Sequence, residues 1–120
     1  MAPGSRVILV STSLTANSTI APTYLLYNAT KGAIDQMTRL LAKDLGRKQI
    51  LVSAVAPGPT ATELFLRSKP EQVLNAIAGQ SPFGRIGQPD EVAEAFLFFA
   101  SPASRWVSGQ ILMVNGAGVV

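Results

Sequence analysis

Ile50-Leu51-Val52-Ser53-Ala54-Val55-Ala56, closed by Pro57-Gly58-Pro59, decides the fold of this chain. The run is short, rich in β-branched and small apolar residues, and ends in a turn signal. That is the pattern of a strand covered on both faces. On its N-terminal side Ala33, Met37, Leu40, Leu41 and Leu45 recur at three- and four-residue spacing, which predicts a helix from about Tyr24 to Leu45. Gly46 supplies a stop, and Lys43, Arg47 and Lys48 suit the negative end of the helix dipole. Farther back, Arg6-Val7-Ile8-Leu9-Val10-Ser11 is a second β-branched run, read as another strand buried on both faces. Strand, long helix, strand is a βαβ unit and implies a parallel pair.

On the C-terminal side, Thr60 to Ser81 is polar and interrupted by Pro70, with a short helix expected near Glu71 to Ala78. Pro89 suits a first helical position, with Asp90 and Glu91 complementing the dipole. That helix runs through Val92, Phe96, Phe99 and Ala100 and stops before Pro102. Apolar residues wrap most of its circumference, so it is expected to be well buried. Gln110 to Val114 reads as a third strand, with Trp106 packing beside it. Phe96, Phe98 and Phe99 are read as packing residues. Alternating strands and helices give an α/β fold with a parallel sheet.

Composition narrows the chemistry. The chain has 120 residues, of which 48% are hydrophobic and only 14% charged, and no cysteine or histidine. Disulfides, thiolate catalysis, the usual zinc sites and a Ser-His-Asp triad are excluded, and no metal site is expected. Mean hydropathy is +0.29, high for a small domain, and points to buried elements or an interface. The longest unbroken apolar run, Ala95 to Ala100, is too short to span a bilayer, so no membrane partner is expected. Met1 to Arg6 precede only a short apolar stretch, so a secretory signal is not expected, and the lack of cysteine fits a cytoplasmic protein. The net charge of +3 is scattered, with Arg47 and Lys48 the one adjacent pair and no aromatics between basic residues, so no nucleic-acid partner is expected.

Ligands of parallel sheets bind at the carboxyl ends of the strands. Three features fall there: Ser11-Thr12-Ser13, Pro57-Gly58-Pro59-Thr60, and Tyr27 at the start of the intervening helix. Tyr27 and Lys31 stand at i and i+4, one above the other on one helical face. A cation beside a phenol favours the phenolate, which suits proton exchange in carbonyl reduction or alcohol oxidation. The plain alternatives are an exposed helical pair, hydroxyls that serve as loop caps, and an ordinary strand-ending turn.

The ordered series resembles the short-chain dehydrogenase/reductase family over nearly the whole chain. A serine follows the first strand, Tyr27-x-x-x-Lys31 opens a helix, and Pro57-Gly58 follows the next strand. Gly84-Arg85-Ile86-Gly87-Gln88-Pro89-Asp90-Glu91-Val92-Ala93 then leads a helix, and Trp106-Val107-Ser108-Gly109-Gln110 precedes a closing strand. The resemblance implies a partial Rossmann-like, doubly wound parallel sheet, with three C-terminal strands and flanking helices. It implies that 1–120 is the C-terminal half of an NAD(P)-binding domain, without the N-terminal dinucleotide-binding half.

By the same resemblance Tyr27 is the general acid or base, and Lys31 assists it and holds the nicotinamide ribose. Ser13, 14 residues before Tyr27, is the hydroxyl that meets the substrate oxygen, with Thr12 as runner-up. Tyr27, Lys31, Pro57, Gly58, Thr60 and Thr62 are the cofactor-binding set, and Leu64 to Pro82 a mobile lid. The cofactor is NAD or NADP, not distinguished, because the residue that reads the ribose 2′ position belongs to the other half. The substrate is a small carbonyl or alcohol.

Departures from the family pattern matter as well. No G-x-x-x-G-x-G follows an N-terminal strand, the Asn-Asn-Ala-Gly stretch and the upstream catalytic asparagine are absent, and Ser53 stands where relatives usually carry asparagine. An isolated fragment is therefore expected to be inactive. The alternative is a non-catalytic interaction module that pairs with a full-length partner. The first strand would be an apolar edge, so self-association is expected.

Overall fold

The computed structural model describes residues 1–120. Three parallel strands form one sheet in the order β1-β2-β3. They are β1 (Arg6–Val10), β2 (Leu51–Pro57) and β3 (Ile111–Val114). β1 pairs with β2 from Arg6 opposite Leu51 to Val10 opposite Val55, and β2 pairs with β3 from Ala54 opposite Ile111 to Pro57 opposite Val114. α1 (Leu25–Gly46) connects β1 to β2, and α2 (Glu63–Arg67), α3 (Glu71–Ala78) and α4 (Pro89–Ala100) lie between β2 and β3. The α/β architecture read from the sequence is the observed one. No helix is long and apolar enough to cross a membrane.

β2 is the centre, paired along both edges and covered on both faces, so Val52 to Ala56 are all buried. On one face Val55 closes a cluster with Ala95 and Phe99, and Ile8, Val92, Phe96, Val107 and Val114 pack around it. α1 packs over β2 on the sheet, and Thr38 is its one fully covered residue. The Thr38 hydroxyl donates to the Ile34 carbonyl at 2.8 Å, which satisfies it inside the helix.

Several expectations need correction. β1 is not buried on both faces: it is an edge strand, its residues are half-buried, and Val10 is exposed. Of the periodic α1 residues, Met37 and Leu40 face water, while Thr38 occupies the inner face. α4 is not buried all round, since Leu97 and Phe98 are exposed while Ala95 and Phe99 are buried. Trp106 does not pack beside β3, because 96% of it is exposed. In each case the apolar residue lies on a side that no other element of these 120 residues covers. The expected stop at Gly46 holds, since it is the last residue of α1, while the left-handed residue of the following turn is Gln49, at φ 59°. α2, a single helical turn and a half inside the stretch read as a lid, was not anticipated.

Candidate active site

The carboxyl ends of β1 and β2 and the first turns of α1 enclose a cleft of about 930 Å³. Ser13, Tyr27, Lys31, Pro57, Gly58, Thr60 and Thr62 all line it, so the structure brings together every residue singled out from the sequence.

The hydroxyl run leaves β1 in a fixed conformation. The Ser11 amide extends the ladder by donating to the Val55 carbonyl at 2.8 Å. The Thr12 hydroxyl accepts from the Leu14 amide at 3.3 Å, and the Thr12 carbonyl accepts from the Thr15 hydroxyl at 3.0 Å, which fixes the 3-10 turn Ser13–Ala16. Ser13 is 2% exposed, and its oxygen lies 3.5 Å from where a Cβ on Gly58 would stand. Both Thr12 and Ser13 border the cleft.

α1 presents Tyr27 and Lys31 from the opposite wall. The Lys31 ammonium lies 5.9 Å from the centroid of the Tyr27 ring, the stacking that i and i+4 positions impose. It donates to the Val10 carbonyl at 2.9 Å. That carbonyl faces outward, because the alternate residues Ser5 and Ser11 make the bonds to β2. Tyr24 packs edge-on against Tyr27 at 6.4 Å between centroids. Asn28, which the sequence reading passed over, ties the two walls together. Its Nδ2 donates to the Leu14 carbonyl at 3.2 Å and so anchors the hydroxyl turn to the helical turn that carries Tyr27. No spacing rule flags it; the one sequence clue is its position beside Tyr27.

The third wall follows β2. A Cβ on Gly58 would lie 2.6 Å from the Asn115 Cβ, so only glycine lets the end of β2 approach the end of β3 this closely. Asn115, also missed, fixes that neighbour: its Nδ2 donates to the Val119 carbonyl at 2.8 Å and its Oδ1 accepts from the Ala117 amide at 3.1 Å. Thr60 donates through its hydroxyl to the Gly58 carbonyl at 2.9 Å, and the Thr62 hydroxyl accepts from the Phe65 amide at 3.2 Å, capping α2. Thr60 is further pinned by a bridge to Gly87.

Pro89 and Val92 bring the first turns of α4 to the same cleft. Arg85 grips Glu91 with two hydrogen bonds, 2.8 and 2.6 Å, and the Gln88 amide donates to Glu91 at 2.8 Å. The hydrogen bonds from Arg85 and then from Gln88 hold the Glu91 carboxyl down at about 2, and Glu91 in turn raises Arg85. No group of three or more acidic residues is placed to hold a metal ion.

Known proteins are similar to this chain in sequence and fold. A family model described as Enoyl-(Acyl carrier protein) reductase matches residues 1–118. NADPH-dependent aldehyde reductase 2, a chloroplastic protein of Arabidopsis thaliana, is 41% identical over 113 residues, 94% of this chain and 41% of that protein. The 7alpha-hydroxysteroid dehydrogenase of Escherichia coli (strain K12) is 41% identical over 117 residues, 97% of this chain and 45% of that one. The crystal structure of angucycline C-6 ketoreductase LanV with bound NADP superposes with a TM-score of 0.87 at 32% identity, over 98% of this chain and 45% of that chain. This chain thus spans less than half the length of each of these relatives. With the family match running over nearly all of its residues, the chain belongs to the short-chain dehydrogenase/reductase family.

Proposed function

We propose that this chain supplies the C-terminal, proton-transferring half of an NAD(P)-dependent oxidoreductase that interconverts a carbonyl and a secondary alcohol. One observation carries the reading: a phenol, an ammonium and two buried hydroxyls, from Tyr27, Lys31, Thr12 and Ser13, face one cleft. The residues suit the nicotinamide end of such a nucleotide. Lys31 spends one bond on Val10 and keeps two N–H donors for ribose hydroxyls. The Thr60 oxygen remains an acceptor after its own proton is given to Gly58. The cleft volume lies at the upper end of the roughly 300–1,000 Å³ of small-molecule sites.

When bound, the nicotinamide supplies or accepts the hydride. In reduction, the hydroxyl of Ser13, or of Thr12, donates to the substrate oxygen and steadies the negative charge that grows there. Tyr27 gives its phenolic proton to that oxygen, and in oxidation takes it back. Lys31 stabilises the phenolate left behind. Asn28 holds the hydroxyl turn against the Tyr27 turn, and so keeps donor and acid on one substrate atom.

Removing the phenol oxygen tests this directly. In a complete enzyme carrying these residues, Tyr27→Phe is expected to lower kcat by about 10²–10⁴-fold or more. Unchanged turnover refutes the assignment. These 120 residues include no glycine-rich phosphate loop, so alone they are expected to turn over little. Saturable nucleotide binding at micromolar concentration would overturn that expectation.

A second reading, an interaction module, draws on the open edge of β1. Arg6, Ile8 and Val10 alternate with the residues bonded to β2 and direct their amides away from the sheet. This reading expects the chain to pair with a full-length partner, and the same open edge to let it self-associate. A monomer by light scattering at moderate concentration counts against it.

A further inference from the structure

We infer that the cleft takes an organic anion, a keto acid or hydroxy acid with an apolar body, and that Lys69 meets its acid group. The inference rests on the carbonyl–alcohol reading above and names its substrate class. Two charged side chains line the cleft, Lys31 and Lys69, and no acidic one does. The ion pairs of the molecule lie elsewhere, Arg67 with Glu63 and Arg85 with Glu91. Lys31 already has work in the proton-transfer site. Lys69 has none there.

Lys69 follows α2, and its amide donates back to the Leu66 carbonyl at 3.3 Å. Its side chain folds over the last turn, so that the ammonium donates to the Phe65 carbonyl at 3.2 Å and lies 3.9 Å from the Phe65 ring centroid. These contacts fix the cation without neutralising it. An ammonium keeps three donors, of which one is spent here. Walls of low polarizability focus the field of two like charges into the cleft, and that field favours an anion. Phe65 supplies apolar surface beside the cation, and Ile20, Ile77 and Tyr24 add apolar lining to the same cleft. A carboxylate on a hydrocarbon body satisfies both at once, through a charge-assisted hydrogen bond and through contact. The acid group would then hold the other end of the substrate while Tyr27 and a hydroxyl address its carbonyl.

The test titrates the isotope-labelled chain by NMR with benzoate, with its neutral counterpart benzamide, and with inorganic pyrophosphate. Benzoate is expected to shift the amide signals of Phe65 and Lys69 and to bind about fivefold tighter than benzamide. Lys69→Met should abolish that preference, Lys69→Arg should keep it, and Lys48→Met, which removes the same charge from an exposed site, should leave it intact. No benzoate binding, equal binding of the two probes, or a preference that survives Lys69→Met overturns the inference. So does pyrophosphate that displaces benzoate and itself depends on Lys69, since the cation would then belong to the diphosphate of a nucleotide. None of these readouts involves turnover. Loss of the charge preference therefore leaves the role of Tyr27 standing, and a turnover-competent Tyr27→Phe leaves the preference standing.

Discussion

α4 and α1 are both apolar helices packed on one sheet, yet they are covered very differently. α4 touches all three strands, and Ala95 and Phe99 disappear into the cluster around Val55. α1 is nearly twice as long, 22 residues against 12, but Thr38 is its one buried residue, and Leu26, Met37 and Leu40 lie in water. The strands repeat the contrast: β2 is shielded on both edges, and β1 on one. An apolar stripe announces a surface that gains from being covered; only a neighbour of the right shape at the right distance covers it.

The largest effect should fall on the covered side. Phe99→Ala is expected to cost about 3–5 kcal/mol in urea unfolding, whereas Leu40→Ala, at a residue 69% exposed, should change stability by no more than about 0.5 kcal/mol. A loss at Leu40 approaching that at Phe99 would mean that another copy or partner covers α1 in solution, and would erase the contrast. Gly58→Ala comes next. The added Cβ meets Asn115 at 2.6 Å, and the ends of β2 and β3 must part, at about 1–3 kcal/mol by the same unfolding measurement. A neutral Gly58→Ala would show that the third wall of the cleft is loose.

Acid sensitivity probes the α4 end of the site. Glu91 ionises at about 2 in the folded chain against an ordinary 4.5. Because folding depresses this value, ionised Glu91 favours the folded state. That contribution is complete above about pH 4.5 and fades as pH falls toward 2. Glu91→Gln is expected to flatten this part of the stability profile, and an unchanged profile would show that the Arg85 clasp is absent in solution. The smallest effect is reserved for Ser53. Its hydroxyl is buried beneath the sheet without a hydrogen-bond partner, so Ser53→Ala should be neutral or stabilise by up to about 1 kcal/mol. A clear loss of stability would reveal a partner for that oxygen.

Much of the fold was legible because its signals are local. Turn residues at Pro57-Gly58-Pro59, a proline opening α4 and the β-branched run of β2 each report on a few neighbouring residues, and the elements fall within a residue or so of their expected bounds. Glu71–Ala78 lies where the spacing put it. Burial was less legible. Periodicity located the apolar stripe of α1 without telling which stripe meets the sheet, and Thr38, self-satisfied through Ile34, took the inner position. For the site, the i and i+4 pair and the strand-end turns located Tyr27, Lys31, Gly58 and Thr60 at one mouth. Asn28, Asn115 and Lys69 were missed because each acts through a contact distant in sequence or through the fold of a loop.

The order of residues by itself determined a parallel βαβ core, the stacking of Tyr27 on Lys31, and the absence of any cysteine or histidine chemistry, since helical and strand geometry fix those relations within a few residues. Tertiary structure alone decided that three separated segments share a cleft, that Gly58 must be glycine because Asn115 crowds it, and that two ammonium groups face that cleft with no carboxylate among its lining residues. Such relations depend on how far apart folded segments come to rest, a quantity that no local pattern encodes.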